Sequence, residues 1–241
     1  MTDLHTHILP GIDDGAKNAQ ESISMLKMEK SQGVNTVVLT PHFYRDREYP
    51  EMFISRRGKA FNELKEAIDK LPQKEKEQIP NLLLGSEVTW RGDLEEWEGL
   101  DKMCIQGTKN LLIELPFTPW TSTMFNHIYS LLGTCGITPV IAHLDRYFKE
   151  QRTEYIQEIF DLGLPIQMSS EYIIKLSTRK KAVTLIRAGV DFIASDCHDC
   201  RKRAPNLRRA YKIINRKFGE EKENEMRICA EELAGVVDFS E

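Results

Sequence analysis

Val34-Asn35-Thr36-Val37-Val38-Leu39-Thr40-Pro41-His42 decides the fold. Its β-branched, uninterrupted apolar run is the pattern of a strand buried on both faces, as in a parallel sheet covered by helices. A histidine follows the end of the run. Upstream, Asp3-Leu4-His5-Thr6-His7 places two imidazoles on one face of a short first strand over residues 1–8, because strand side chains alternate with period 2. Downstream, further runs repeat the theme. Residues 81–88 end at Glu87, 110–115 at Glu114, 137–143 at His143 and 190–196 at Asp196, with His198 just beyond. Strand 164–169 is the exception and ends in Ser169-Ser170.

Helical periodicity fills the gaps, at 21–32 (stopped by Gly33), 51–71, 125–132, 150–162 and 175–188, with two polar helices over 201–235. Seven strands alternating with helices predict an α/β fold in which right-handed crossovers roll a parallel sheet into a barrel. There is no internal repeat and no Gly-, Ser- or Pro-rich linker, so residues 1–241 read as one domain.

Composition narrows the function. A net charge of −4 argues against a nucleic-acid binder, which would carry a basic stripe. No apolar run approaches the roughly 18 residues of a membrane helix, and no signal peptide is visible, so membrane insertion is not expected and the cytoplasm is. Five cysteines, an odd number, predict reduced thiols. Cys197 and Cys200 form a C-x-x-C, but no second ligand pair at similar spacing accompanies them, and His198 is read as the important member.

The strand-end residues form one constellation: His5, His7, Asp14, His42, Glu87, Glu114, His143, Asp196 and His198. Five of the six histidines belong to it, and only His127, on a predicted helix, is left over. In α/β barrels the carboxyl ends of the strands carry the active site. Mixed imidazole and carboxylate donors suit manganese, iron or zinc, and nine exceed what one ion can use, so two or three divalent ions are expected. Such clusters activate water and clamp phosphoryl oxygens, which makes phosphate-ester hydrolysis the expected chemistry. Glu114, mid-sequence among the ligands, is the expected bridge. Arg146 and Arg203 are the expected phosphate-binding cations, since a guanidinium fork matches phosphate oxygens bidentately. Trp90, Trp97 and Trp120 are read mainly as packing at the rim.

Asp3-Leu4-His5-Thr6-His7, Pro41-His42, Gly85-Ser86-Glu87, Ile113-Glu114, Ala142-His143-Leu144-Asp145-Arg146-Tyr147 and Ser195-Asp196-Cys197-His198 resemble the motifs of the polymerase and histidinol phosphatase (PHP) superfamily. Residues 5–15 and the Ala-His-x-x-Arg-Tyr pattern at 142–147 are similar to its manganese-dependent bacterial protein-tyrosine phosphatases of capsule and exopolysaccharide operons.

The resemblance implies a distorted (β/α)7 barrel, TIM-like, with a metal cluster at its mouth. His5, His7, Glu114 and Asp196 would hold one ion, and His42, Glu87, Glu114 and His143 a second. Asp14 and His198 would hold a third or touch substrate. Arg146, Arg203 and Asp196 would serve catalysis, in which water activated at the metals attacks phosphorus. The implied substrate is a phosphotyrosine protein, a cognate bacterial tyrosine kinase that controls polysaccharide export. Histidinol-phosphate phosphatase is the alternative, and a non-catalytic metal-binding module the remote one; oligomeric state stays open. A cysteinyl-phosphate route is not expected. Three places depart from the family's pattern: Phe43-Tyr44-Arg45-Asp46-Arg47 after His42, Asp145 in place of glutamate, and the basic Arg201-Lys202-Arg203.

Overall fold

A computed structural model describes residues 1–236. Of the 1–241 span expected to be one domain, residues 237–241 lie outside the described part.

The chain is an α/β fold whose paired strands are all parallel. Strand β1 (Thr2–Thr6) pairs with β2 (Thr36–Leu39), which pairs with β4 (Asn81–Leu84). A second sheet follows the order β3 (His42–Phe43), β5 (Glu87–Thr89), β6 (Asn110–Glu114) and β7 (Thr138–Ile141). A third pairs β8 (Gln167–Ser169) with β9 (Phe192–Ala194). Isolated parallel bridges join Ile141 to Ile166 and Thr6 to Cys197.

The run 34–40 ends as expected before Pro41, where proline has no N–H to give a ladder, and pairing resumes in the separate strand β3 at His42. Another run, expected to be one strand, is broken in the structure. The run 81–88 divides into β4 and β5 at Gly85-Ser86. A side chain at Gly85 would crowd Val38 and Thr40 at 3.0–3.1 Å, so the two breaks pack against each other.

Helices α1 (Ala19–Ser31), α2 (Pro50–Asp69), α4 (Ser122–Cys135), α5 (Thr153–Asp161) and α7 (Leu176–Ala188) fill the predicted gaps, together with the short α3 (Gln73–Lys76) and α6 (Ser170–Ile174). The polar tail forms α8 (Leu207–Phe218) and α9 (Glu220–Leu233). Asn18 caps α1 by accepting from the Glu21 N–H, and Thr121 caps α4 from the Met124 N–H. Pro50 opens α2, where a missing N–H costs nothing.

The strands have apolar residues on both faces, which is why their sequences do not alternate. Val37, Leu39, Leu111, Ile113, Ile141 and Ile193 belong to the large core shared with the helices. Leu4, Val38, Leu112, Val140, Phe192 and Ala194 form a second, smaller core, joined by Ala230, Leu233 and Ala234 of the α9 region. Two-residue steps along the strands from this inner core lead to the polar strand ends: Leu112 to Glu114, and Phe192 through Ala194 to Asp196.

Candidate metal centre

The carboxyl ends of the strands bring all nine expected ligands into one cluster. Glu87 stands in the middle. Its Oε2 is 3.2 Å from His5 Nε2, 3.3 Å from His7 Nε2 and 2.8 Å from His42 Nδ1, and its Oε1 is 2.7 Å from His143 Nε2. Asp196 Oδ1 lies 3.4–3.6 Å from nitrogens of His5, His7 and His198. Asp14 lies 3.3 Å from His198 Nε2 and 3.5 Å from His42 Nε2, with its carboxylate well exposed at the mouth.

Glu114 sits to one side, 3.6 Å from His143 and accepting from the Thr89 hydroxyl at 3.3 Å. The sequence reading made Glu114 the bridge between ions; in the structure the central carboxylate is Glu87. Strand register explains the difference. Glu87 pairs with Leu112, and Glu114 stands two residues further along, level with Thr89.

Three overlapping groups of donor atoms draw together: His5, His7 and Glu87; His42, Glu87 and Glu114; and His7, Asp14, His42 and His198. The donor set fits divalent cations. His5 Nε2 and His7 Nε2 face each other at 3.1 Å. Glu87 Oε2, His42 Nδ1 and His198 Nε2 are buried with no aligned hydrogen bond. Buried nitrogens and oxygens converging without hydrogen-bond geometry form a set that a cation satisfies and that protein partners do not.

Backbone conformation re-aims two of the ligands. His143 (φ 30°) and Asp196 (φ 52°) are the only non-glycine residues with positive φ among those described, and each follows its strand by two residues. Such φ values are costly for ordinary side chains and cluster where geometry serves a site. Gly15 is obligatory for a different reason: a Cβ there would lie 2.0 Å from the His7 carbonyl oxygen. The loop after β1 folds back on His7, with Ala16 N–H donating to that same carbonyl at 3.0 Å.

Electrostatics divide the histidines. Burial pushes His143 down to about 4 and His198 down to about 3, so both are neutral at pH 7 with a lone pair free to bind metal. Burial also opposes charge on His5 and His7, but it is outweighed by Glu87 and Asp196 at His5, and by Asp13 first, then Asp196 and Glu87, at His7, so both rise above the usual histidine value. The same contacts hold Glu87 and Asp196 far below the ordinary carboxylate range despite their burial.

Arg146 and Arg203 both reach the cluster and meet on one atom. Each guanidinium pairs with Asp196 Oδ2, Arg203 at 2.9 Å, and Arg203 also lies 3.9 Å from Asp14. Arg146 stands on the short helical turn Leu144–Arg146 directly after His143. Arg203 closes a loop in which its carbonyl accepts from the His198 N–H at 2.9 Å. Both side chains are part-exposed, so their forks are open to a ligand from solvent.

Sequence reasoning missed two supporting residues. Asp13 Oδ2 lies 2.8 Å from His7 Nδ1 and accepts from the His42 N–H at 3.0 Å, so one carboxylate orients two ligands. Gln167 Oε1 lies 2.9 Å from His5 Nδ1 and accepts from the His143 N–H at 3.3 Å. The signal for Asp13 was present, since Asp13-Asp14 is a pair of which only one side chain can face the mouth. Gln167 had none, because nothing in a run such as Ile166-Gln167-Met168 separates a glutamine that supports a site from one that does not.

His127 lies elsewhere, 2.6 Å from Glu95. Trp90 and Trp97 pack on the large core, and buried Trp120 donates to the Pro116 carbonyl at 2.8 Å. All five cysteines are free thiols. Cys197 and Arg203 stand at the Cys-x5-Arg spacing of the cysteine-dependent tyrosine phosphatases. Cys197 is fully buried, and burial beside Glu29 and Asp3 pushes its thiol far above the usual value, so burial is what excludes it as a nucleophile.

A parallel α/β scaffold presenting five imidazoles, four carboxylates and two arginines at its strand ends is the architecture of a metal-dependent hydrolase of anionic esters. The chain belongs to the family of capsular polysaccharide synthesis proteins CpsB/CapC, whose pattern matches residues 1–232. It is 35% identical over 243 residues to the tyrosine-protein phosphatase CpsB of Streptococcus agalactiae serotype III (strain NEM316), covering 95% of each chain. It is 29% identical over 234 residues to the tyrosine-protein phosphatase YwqE of Bacillus subtilis (strain 168), covering 92% of this chain and 86% of that one. A solved structure, described with YwqE from Bacillus subtilis and CpsB from Streptococcus pneumoniae as unique metal-dependent tyrosine phosphatases, superposes with a TM-score of 0.84 at 26% identity, covering 99% of this chain and 96% of that one.

Proposed function

We propose that this chain is a metal-dependent protein-tyrosine phosphatase, and that its nine strand-end ligands hold two or three divalent ions, manganese foremost, with iron or zinc as substitutes. The observation that carries the reading is the meeting of Arg146 and Arg203 on Asp196 at the edge of the ligand cluster. It joins a phosphate-gripping pair to a metal-binding donor set in one place.

His5, His7 and Asp196 would serve one ion, and His42, His143 and Glu114 a second, with Glu87 within reach of both groups. Asp14 and His198 would complete a third position at the mouth. When bound, the ions supply Lewis acidity toward the phosphoryl oxygens and lower the pKa of water. The chain's own residues do the rest. Arg146 and Arg203 swing from Asp196 onto the equatorial oxygens of the phosphoryl group and stabilise charge as it develops there. Asp13 and Gln167 keep His7 and His5 in fixed tautomers and orientations. A tyrosine leaving group, with a phenol pKa of about 10, departs without a strong general acid.

The bridges Thr6 to Cys197 and Ile141 to Ile166 join the third sheet to each of the other two, which supports a distorted (β/α)7 barrel of TIM-like design. The family match over residues 1–232 supports one phosphatase domain spanning the chain. Among the described residues no helix is long and apolar enough to cross a membrane. On this reading the enzyme is cytoplasmic and acts on the phosphotyrosines of a cognate kinase in polysaccharide export. The family's capsular polysaccharide synthesis and the relatives' name of tyrosine-protein phosphatase support the phosphotyrosine substrate and the polysaccharide setting.

The test is phosphate release from a phosphotyrosyl peptide and from histidinol phosphate, each with manganese and with chelator. Manganese-dependent release from the peptide is expected. Release from histidinol phosphate alone would move the chain to a small-molecule phosphatase role with the same metal centre.

A further inference from the structure

Beside the metal centre a cavity of about 350 Å³ opens between Asp14, His42, Tyr44, Arg47, Glu48 and Arg56. Asp14 and His42 are ligands; Tyr44, Arg47 and Glu48 belong to the loop after β3 and Arg56 to α2, and none of these four has a part in the proposed metal centre.

Two of the cavity's charges are already satisfied. Arg56 pairs with Glu48 and donates to the Ile12 carbonyl at 2.5 Å. Arg47 differs. Among the described residues it forms no ion pair, and its guanidinium lies over the Tyr44 ring, 4.3 Å from the centroid. The stack is fixed by the backbone, since the Arg47 N–H donates to the Tyr44 carbonyl at 3.0 Å in a tight turn. Tyr44 is anchored in turn against His42, with ring centroids 5.2 Å apart. An exposed guanidinium thus sits over an aromatic ring that itself packs on the ligand His42.

The geometry points to Arg47, backed by Tyr44, as the surface on which the phenyl ring of the substrate stacks while its phosphate enters the metal centre. The inference rests on the phosphatase reading and adds the source of selectivity for aryl over alkyl phosphates. A guanidinium with one face on an aromatic ring still offers the other to a second ring, and an ammonium lacks the planar face to do so. The cavity, about 350 Å³, is large enough for a phosphotyrosine side chain and shares the ligands Asp14 and His42 with the metal centre.

The test compares the manganese-loaded wild type with Arg47→Ala, Arg47→Lys, Tyr44→Ala and Tyr44→Phe, on a phosphotyrosyl peptide and its phosphoseryl counterpart. Arg47→Ala and Tyr44→Ala are expected to raise KM for the phosphotyrosyl peptide about five- to thirty-fold, the strength of a guanidinium–aromatic stack, with kcat changed less than about twofold. Any turnover of the phosphoseryl peptide should be unchanged. Tyr44→Phe keeps the ring and should behave as wild type. Arg47→Lys should be as poor as Arg47→Ala, and full rescue by lysine would show that charge alone acts and overturn the proposal. Unchanged KM in Arg47→Ala would also overturn it.

Binding of phenylphosphonate and methylphosphonate to the same loaded proteins reads the stack without turnover. Should the wild type prove inactive on both peptides, the phosphatase reading fails, and a phenyl preference lost in Arg47→Ala still supports the stack. Equal binding of the two phosphonates by wild type rules it out.

Discussion

Asp13 Oδ2 and His7 Nδ1 lie 2.8 Å apart, which makes Asp13 the partner that fixes which nitrogen of His7 faces the metal centre. A histidine whose second nitrogen donates to a carboxylate is a stronger and better-aimed ligand. Asp13→Asn keeps the size of the side chain and removes its charge. Manganese affinity should fall by about 10- to 100-fold, measured by calorimetric titration, with the far-ultraviolet circular dichroism unchanged. Unaltered affinity would mean that Asp13 merely shapes the loop.

Arg146 and Arg203 should separate in their effects on catalysis. Arg146 is the more enclosed and springs directly from the turn after His143, so Arg146→Ala should lower kcat/KM for a phosphotyrosyl peptide by roughly 100-fold, the scale of losing one preorganised donor. Arg146→Lys should recover only part, because an ammonium cannot grip two oxygens in a plane. Arg203, more open to solvent, should show the smaller loss. Steady-state kinetics on both variants decide the order.

Metal uptake should weaken as pH falls through neutrality. Glu87 and Asp196 raise His5, and Asp13 with Asp196 and Glu87 raises His7, above the usual histidine value against the effect of burial. Each therefore holds its proton to higher pH than a free imidazole, and a metal must displace it. Lower pH fills those sites further, and higher pH empties them. Titrating manganese in buffers of differing ionisation enthalpy should reveal proton release near pH 7 that shrinks above the histidines' raised values. No proton release at pH 7 would contradict the assignment.

Alkylating reagents should leave activity intact where chelators abolish it. Burial pushes Cys104 to about 11 and Cys229 to about 12, and Cys197 is sealed in the core. Treatment with iodoacetamide at pH 7.5, followed by assay with manganese, is the direct comparison. Inactivation tracking modification of Cys197 would reopen a thiol route.

Gly15→Ala should be costly far beyond its single methyl group. The new carbon would collide with the His7 carbonyl, so the loop carrying Asp13 and Asp14 must shift. A loss of roughly 1–3 kcal/mol in denaturant unfolding is expected, together with weakened metal binding, as for an overpacked site.

The parts of this molecule that were legible beforehand are those written in local pattern. The run Val34–Thr40 can hardly be anything but a buried strand, and its His42 lands in the cluster as a strand end should. Glu87 shows the limit. Its presence in the site follows from sequence, but its central place follows from pairing with Leu112, a register that no local pattern encodes. Gln167 shows another, since a polar side chain inside an apolar run declares only that it has a partner. Proline marked the end of the run at Thr40-Pro41, and the break at Gly85-Ser86 had its marker in glycine, though apolar continuity across it masked the division.

The first strand is held by the last. Asp3 accepts from the Ser195 N–H at 3.1 Å, and the His7 N–H donates to the Cys197 carbonyl at 2.9 Å, across some 190 residues of intervening chain. The metal centre is therefore a product of long-range closure: His5 and His7 gain Asp196 only when contacts some 190 residues apart in sequence have formed, and closing so long a loop is slow. A fragment that stops short of Asp196 keeps the imidazole pair and lacks both the carboxylate and the Arg203 guanidinium that surround it.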